Sequence, residues 1–149
     1  MSAGENTPRG LYEKLKEKLP YADKSIIKTE IRRLMEEGIV DENRYGERFI
    51  ELCKNKLYGH RRIETELTAK KFSEKYIERS RMLILSDEDE RAFELASRKF
   101  DSMPEVFDKI EAQKQVQKVF AYMMRMGYDT DTIKKAAALY KERLDENED

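Results

Sequence analysis

The apolar residues of this chain recur three and four positions apart, and nowhere convincingly two apart. Such a period lines one stripe of a helix, not one face of a strand. Breakers are scarce, with 3 Pro and 6 Gly among 149 residues, so little interrupts the helices that the pattern predicts. The expected fold is all-α, with roughly eight or nine helices.

Leu11, Leu15 and Leu19 step by four behind Pro8, which suits a first helical turn. Ile27, Ile31, Leu34 and Met35 form a second stripe, with Asp23 as N-cap and Gly38 as the stop. Asp41 caps a third helix carrying Tyr45, Phe49, Leu52, Cys53 and Leu57. Gly59 interrupts, and a fourth helix bears Ile63 and Leu67. Ser73 caps a fifth, with Tyr76, Ile77, Ser80 and Ile84. Ser86 and Asp89 have capping-box spacing and open a sixth, with Phe93, Ala96 and Phe100. In the less regular segment 101–111, Pro104 is expected to start a short helical turn. Val116, Val119, Phe120 and Met123 then mark a long helix ending at Gly127. Thr130 caps the last, with Ile133, Ala137, Tyr140 and Leu144.

Three of these helices end alike. Leu34, Leu67 and Met123 each lie four residues before Gly38, Lys71 or Gly127, and Ile39, Phe72 or Tyr128 follows. The implied unit is a helix, a left-handed stop, an apolar anchor, a cap and the next helix. Glycine takes positive φ readily. Lys71 in that slot costs about 1 kcal/mol if its backbone is left-handed. Stacked short bundles bury their faces against neighbours, so a thin core suffices.

A thin core is what composition allows, since 39% of residues are hydrophobic and 41% charged. Residues 1–82 carry 19 Lys and Arg against 15 Asp and Glu, a net of +4; the rest carries 11 against 16, a net of −5. The basic middle and acidic tail suggest a polyanion or an oriented partner. Cys53 alone cannot form an internal disulfide, which suits a reducing compartment. No apolar run is long enough to span a membrane, and "MSAGENTPRG" is no signal peptide. A cytoplasmic protein is expected.

Catalytic chemistry finds no support. One His and one Cys cannot supply the usual transition-metal sites, and "SDEDE" at 86–90 lacks the calcium-loop pattern. Cys53 lies on an apolar stripe and reads as a buried structural thiol. No phosphate-binding glycine motif occurs. The expectation is a non-enzyme without metal or cofactor. The basic residues around 54–81 are interleaved with Glu64, Glu66, Glu74 and Glu78. On charge alone they read as a solvated face. Tyr58 could stack on a base or a guanidinium. Tyr45, Tyr76, Tyr122 and Tyr140 fall on apolar stripes and read as core.

"GIVDENRYGERFI" (38–50) followed by "YGHRRIETELTAKKFS" (58–73) resembles the RecX family of recombinase regulators. Val40, Asp41, Glu42, Arg44 and Tyr45 fill one of its motifs. Gly59, Arg61, Arg62, Ile63, Glu66, Leu67 and Lys70 fill a second. Arg125, Gly127, Tyr128, Ile133 and Ala136 look like its last module. Gly46 stands where alanine is common in the family, Lys71 where glycine is, and 101–111 looks like an insertion.

The resemblance implies tandem three-helix bundles in an elongated, curved, monomeric array: modules at 10–40, 41–85 and 86–144, with a flexible N-terminus at 1–9 and a disordered acidic tail at 145–149. It implies binding to the filament of the RecA recombinase, with DNA contact as well, and modulation that is mostly inhibitory. Arg44, Arg48, Arg61, Arg62, Lys70, Lys71 and Lys75 become the contact candidates for RecA or DNA. The other reading of these residues is a stand-alone nucleic-acid-binding module. His60 reads as a helix-start residue, neither ligand nor base.

Overall fold

The structure, a computed structural model, describes residues 3–148. Among them the regular structure is helical throughout, as the periodicity predicts. A 3₁₀ turn, Ala3–Glu5, precedes α1 (Pro8–Lys18), α2 (Lys24–Glu36), α3 (Glu42–Asn55), α4 (His60–Ala69), α5 (Glu74–Arg79), α6 (Arg81–Leu85), α7 (Glu88–Asp101), α8 (Lys109–Arg125) and α9 (Thr130–Glu148). Two compact units result, Met1–Leu52 with Glu64–Met82, and Cys53–Ile63 with Leu83–Asp149.

In the first unit α1 packs on α2 through Leu11, Ile27, Ile31 and Val40, with Tyr12, Leu15, Ala22 and Leu34 around them. Leu19 and Met35, expected on these stripes, stay about half exposed. Tyr45, Phe49, Phe72 and Tyr76 form a chain of ring contacts, with successive centroids 5.0–6.2 Å apart. Before α1, Asn6 and Thr7 are buried, and Thr7 Oγ1 accepts the Gly10 N–H as the N-cap of the helix.

In the second unit Leu57, Ala92, Leu95, Ala96, Val119, Met123, Tyr128, Ile133 and Ala136 make one core of α7, α8, α9 and the end of α3. Phe100 stacks on Tyr140 at 4.8 Å, and the Tyr140 hydroxyl donates to Asp101 at 2.6 Å. Burial and that carboxylate push the Tyr140 phenol up to about 12. At the C-terminus α9 runs on through Glu148, so 145–148 of the expected disordered tail is helical.

Capping decides where the helices begin. Asp23, Asp41 and Ser73 accept backbone N–H groups from Ser25, Arg44 and Tyr76, as expected. Three other expectations are corrected. The Asp129 carbonyl, not that of Thr130, accepts the first bond of α9, from Ile133, so the cap lies one residue earlier. Pro104 starts no turn; 104–107 is irregular, and Asp108 caps α8 instead. The Ser86–Asp89 capping box does not form. Asp87 is the N-cap of α7, in the left-handed region at φ 61° with no side-chain cap bond, while Ser86 Oγ donates back to the Leu83 carbonyl. The single fifth helix also divides at Ser80 into α5 and α6.

The three stops share one geometry. Gly38, Lys71 and Gly127 have φ of 74°, 69° and 101°. The N–H after each reaches five residues back: Ile39 to Leu34, Phe72 to Leu67 and Tyr128 to Met123, at 2.9–3.1 Å. The stop's own N–H bonds to Met35, Thr68 or Met124. This pairing satisfies the carbonyls that a helix C-terminus otherwise orphans. A fourth copy closes α3 at Leu57, φ 61°, with Tyr58 bonded to Cys53 and Leu57 to Lys54. Phe72 and Tyr128 are buried as anchors; after Gly38 that place passes from Ile39 to Val40.

Because Lys71 is left-handed, Lys71→Gly is expected to stabilise the protein by about 0.5–1 kcal/mol, after allowing for loss of the exposed Glu13 pair at 3.6 Å. Urea unfolding midpoints of the two proteins check this.

Candidate partner-contact surface

The stretch Tyr58–Arg62 is held by backbone bonds. Gly59 is the N-cap of α4, its carbonyl accepting from Ile63. A helix start leaves N–H groups without intrahelical acceptors. Here the Gly59 N–H donates to the Met126 carbonyl at 2.8 Å and the Arg61 N–H to the Gly127 carbonyl at 3.2 Å. The His60 N–H donates to Glu88 Oε2 at 2.7 Å. Thus the last carbonyls of α8 meet the first donors of α4, and a carboxylate completes the set at the positive helix end. A Cβ on Gly59 would lie 2.5 Å from the Gly127 backbone, and one on Gly127 would lie 2.5 Å from Arg62 N.

His60 is the first residue of α4, in the expected place. Its ring Nδ1 lies 2.8 Å from Glu88 Oε2, and Nε2 lies 3.9 Å from Asp129 Oδ2. The residue ties the starts of α4, α7 and α9 together. Arg91, which sequence reasoning missed, does comparable work. It is 6% exposed and donates to the carbonyls of Tyr58, Ile84 and Ser86 at 2.7–3.2 Å. A lone arginine on a helix face carries no signal that three carbonyls will surround it. The Tyr128 hydroxyl donates to the Leu57 carbonyl at 2.7 Å, and burial raises its phenol well above the ordinary value.

Removing the Arg91 guanidinium takes a donor from each of those carbonyls. Arg91→Ala is expected to destabilise by about 2–4 kcal/mol, with Arg91→Lys recovering only part. Thermal unfolding followed by circular dichroism measures both.

The basic candidates separate by unit. Arg61 and Arg62 belong to the second. Arg61 is exposed; Arg62 is half-buried, its guanidinium 4.2 Å from the Tyr58 ring centroid, with Nη1 3.9 Å from Met126 Sδ. Tyr58 therefore stacks on a guanidinium of its own chain, with Lys56 5.9 Å away. Arg44, Arg48, Lys70, Lys71 and Lys75 belong to the first unit. Lys71 is half-buried and faces Glu13; the other four are exposed.

Arg48 and Lys70 come together around one groove, of about 410 Å³, with Glu5, Tyr45, Phe49 and Leu52. Leu52, expected on the buried stripe of α3, is 58% exposed there. Burial raises the Tyr45 phenol; Glu5 adds to this and Arg48 opposes it. A neighbouring depression mixes Lys14, Lys70 and Lys71 with Glu5, Glu13 and Glu17. That mixture makes no uniform anion site.

Residues 87–137 match the family model of the third three-helix domain of RecX. Over this part of the chain the similarity is to the RecX family. No curated protein matches it. The matched span opens at Asp87, the cap of α7, and holds α7, α8 and the first part of α9. It contains Leu95, Val119, Met123, Tyr128, Ile133 and Ala136, most of the second unit's core. RecX is a family of regulatory proteins. The RecX domain also contains Met126 and Gly127, the residues that receive the start of α4; Arg61 and Arg62 lie outside the match. Among the described residues no helix is long and apolar enough to cross a membrane.

Proposed function

We propose that the protein binds the RecA recombinase filament and modulates it, chiefly by lowering ATP hydrolysis and strand exchange in recombination and DNA repair. The match of 87–137 to a RecX domain carries this reading. The same helix stop outside that span, at Gly38 and Lys71, supports extending it to modules at 10–40, 41–85 and 86–144. The protein would act as a cytoplasmic monomer and without catalysis. It would occupy the filament and restrain the protomer movements that ATP hydrolysis requires. Arg44, Arg48, Arg61, Arg62, Lys70, Lys71 and Lys75 are its contact candidates, toward RecA first and DNA second.

The test is RecA ATPase on single-stranded DNA at two salt concentrations. The expected result is a fall in rate at well under one protein per RecA protomer. An unchanged rate at saturating protein refutes the reading. Tight binding to naked DNA with a steep salt slope, lost in Arg61→Glu/Arg62→Glu, would instead establish a nucleic-acid module.

A further inference from the structure

The groove of the first unit has a composition that neither a solvated face nor a phosphate track needs. Its floor is apolar: Tyr45 and Phe49 are half-buried, and Leu52 is open to solvent although it lies on the helix between Phe49 and Cys53. A leucine left in water beside two aromatic rings forgoes burial that a partner could supply. Arg48 and Lys70 stand on the rim, and neither forms an ion pair among the described residues. Glu5 stands there as well and offers acceptors.

We infer that this groove receives a short acidic peptide segment of a protein partner, seating one apolar side chain on Tyr45, Phe49 and Leu52. Arg48 and Lys70 pair with carboxylates flanking that side chain. Glu5 accepts a backbone N–H, a donor that a peptide carries and a phosphodiester backbone lacks. The three chemistries of the rim and floor thus match a polypeptide better than a nucleic acid. Polar rims around an apolar centre are the usual anatomy of protein contacts. The inference rests on the RecA-filament reading for the identity of the partner, and on the groove alone for its chemistry.

The test uses the full chain with methyl and aromatic groups labelled for NMR. One probe is the synthetic peptide acetyl-Glu-Asp-Leu-Phe-Asp-Glu-amide; the other is a twelve-residue oligothymidylate. The peptide is expected to shift the Leu52, Phe49 and Tyr45 signals, with affinity weakened at least about tenfold in Arg48→Glu/Lys70→Glu. Leu52→Ser, an exposed change, is expected to weaken it without altering the melting temperature. Unchanged signals with the peptide overturn the inference, as does a shift of the same signals by the oligothymidylate alone.

RecA filaments separate the two readings. Filament binding that survives Arg48→Glu/Lys70→Glu at full affinity overturns the groove and leaves the regulator. Peptide binding without filament binding overturns the regulator and leaves the groove.

Discussion

Gly59→Ala is expected to destabilise the protein by about 3 kcal/mol or more. The new Cβ would sit 2.5 Å from backbone atoms of Gly127, which cannot rotate away as a side chain could. Relief requires parting α4 from the end of α8, and that breaks the Gly59–Met126 and Arg61–Gly127 bonds. The buried donors and acceptors freed in this way each add to the loss. Gly127→Ala should behave alike, with the strain of φ 101° added. Denaturant unfolding by circular dichroism gives both values; a loss below about 1 kcal/mol for Gly59→Ala would contradict the close approach.

The second large effect concerns Gly46. A Cβ at this position would overlap the Tyr76 hydroxyl and Cζ. Gly46→Ala is therefore expected to destabilise by about 2–3 kcal/mol, even though alanine is the better helix former by about 1 kcal/mol. The penalty belongs to the pair. In Tyr76→Leu the ring is gone, and Gly46→Ala should then be neutral or stabilising. A double-mutant cycle would show coupling of about 2 kcal/mol; purely additive effects would place the cause elsewhere. The glycine and the tyrosine thus act as a pair: the phenol fills the room that a methyl group at position 46 would take.

Much of this fold could be read in advance because its signals are local. Stripes at three and four residues, the caps Asp23, Asp41 and Ser73, and the spacing of three stops all state short-range preferences. Misreadings arose where a distant group overrode the local one. Ser86 and Asp89 have the spacing of a capping box, but the distant Lys54 donates to the Ser86 hydroxyl and Asp87 turns left-handed. Leu57 closes α3 as a glycine would, and no residue type announces that; its burial in the core of the second unit compensates for its φ. Leu52 fits the α3 stripe by spacing, yet faces solvent, since a stripe three or four residues wide does not say which edge the neighbours cover.

The contact site was legible in part. The Arg61–Arg62 pair stood out, but spacing alone could not say that Arg62 spends its guanidinium on Tyr58. The groove of Arg48 and Lys70 joins α3 to the residue after α4, and no sequence window holds both.

The bonds between the end of α8 and the start of α4 set an order of events for a chain emerging from the ribosome. Gly59 and Arg61 are made early, but their acceptors, Met126 and Gly127, follow only after α5, α6, α7 and α8. Until then two donors at the start of α4, the Gly59 and Arg61 N–H groups, have only water as acceptor. Such a long-range closure slows folding relative to the local helices around it. It also makes the C-terminal third a chaperone for the middle: a chain truncated before Gly127 would keep Arg61 and Arg62 in its sequence yet lose the geometry that presents them.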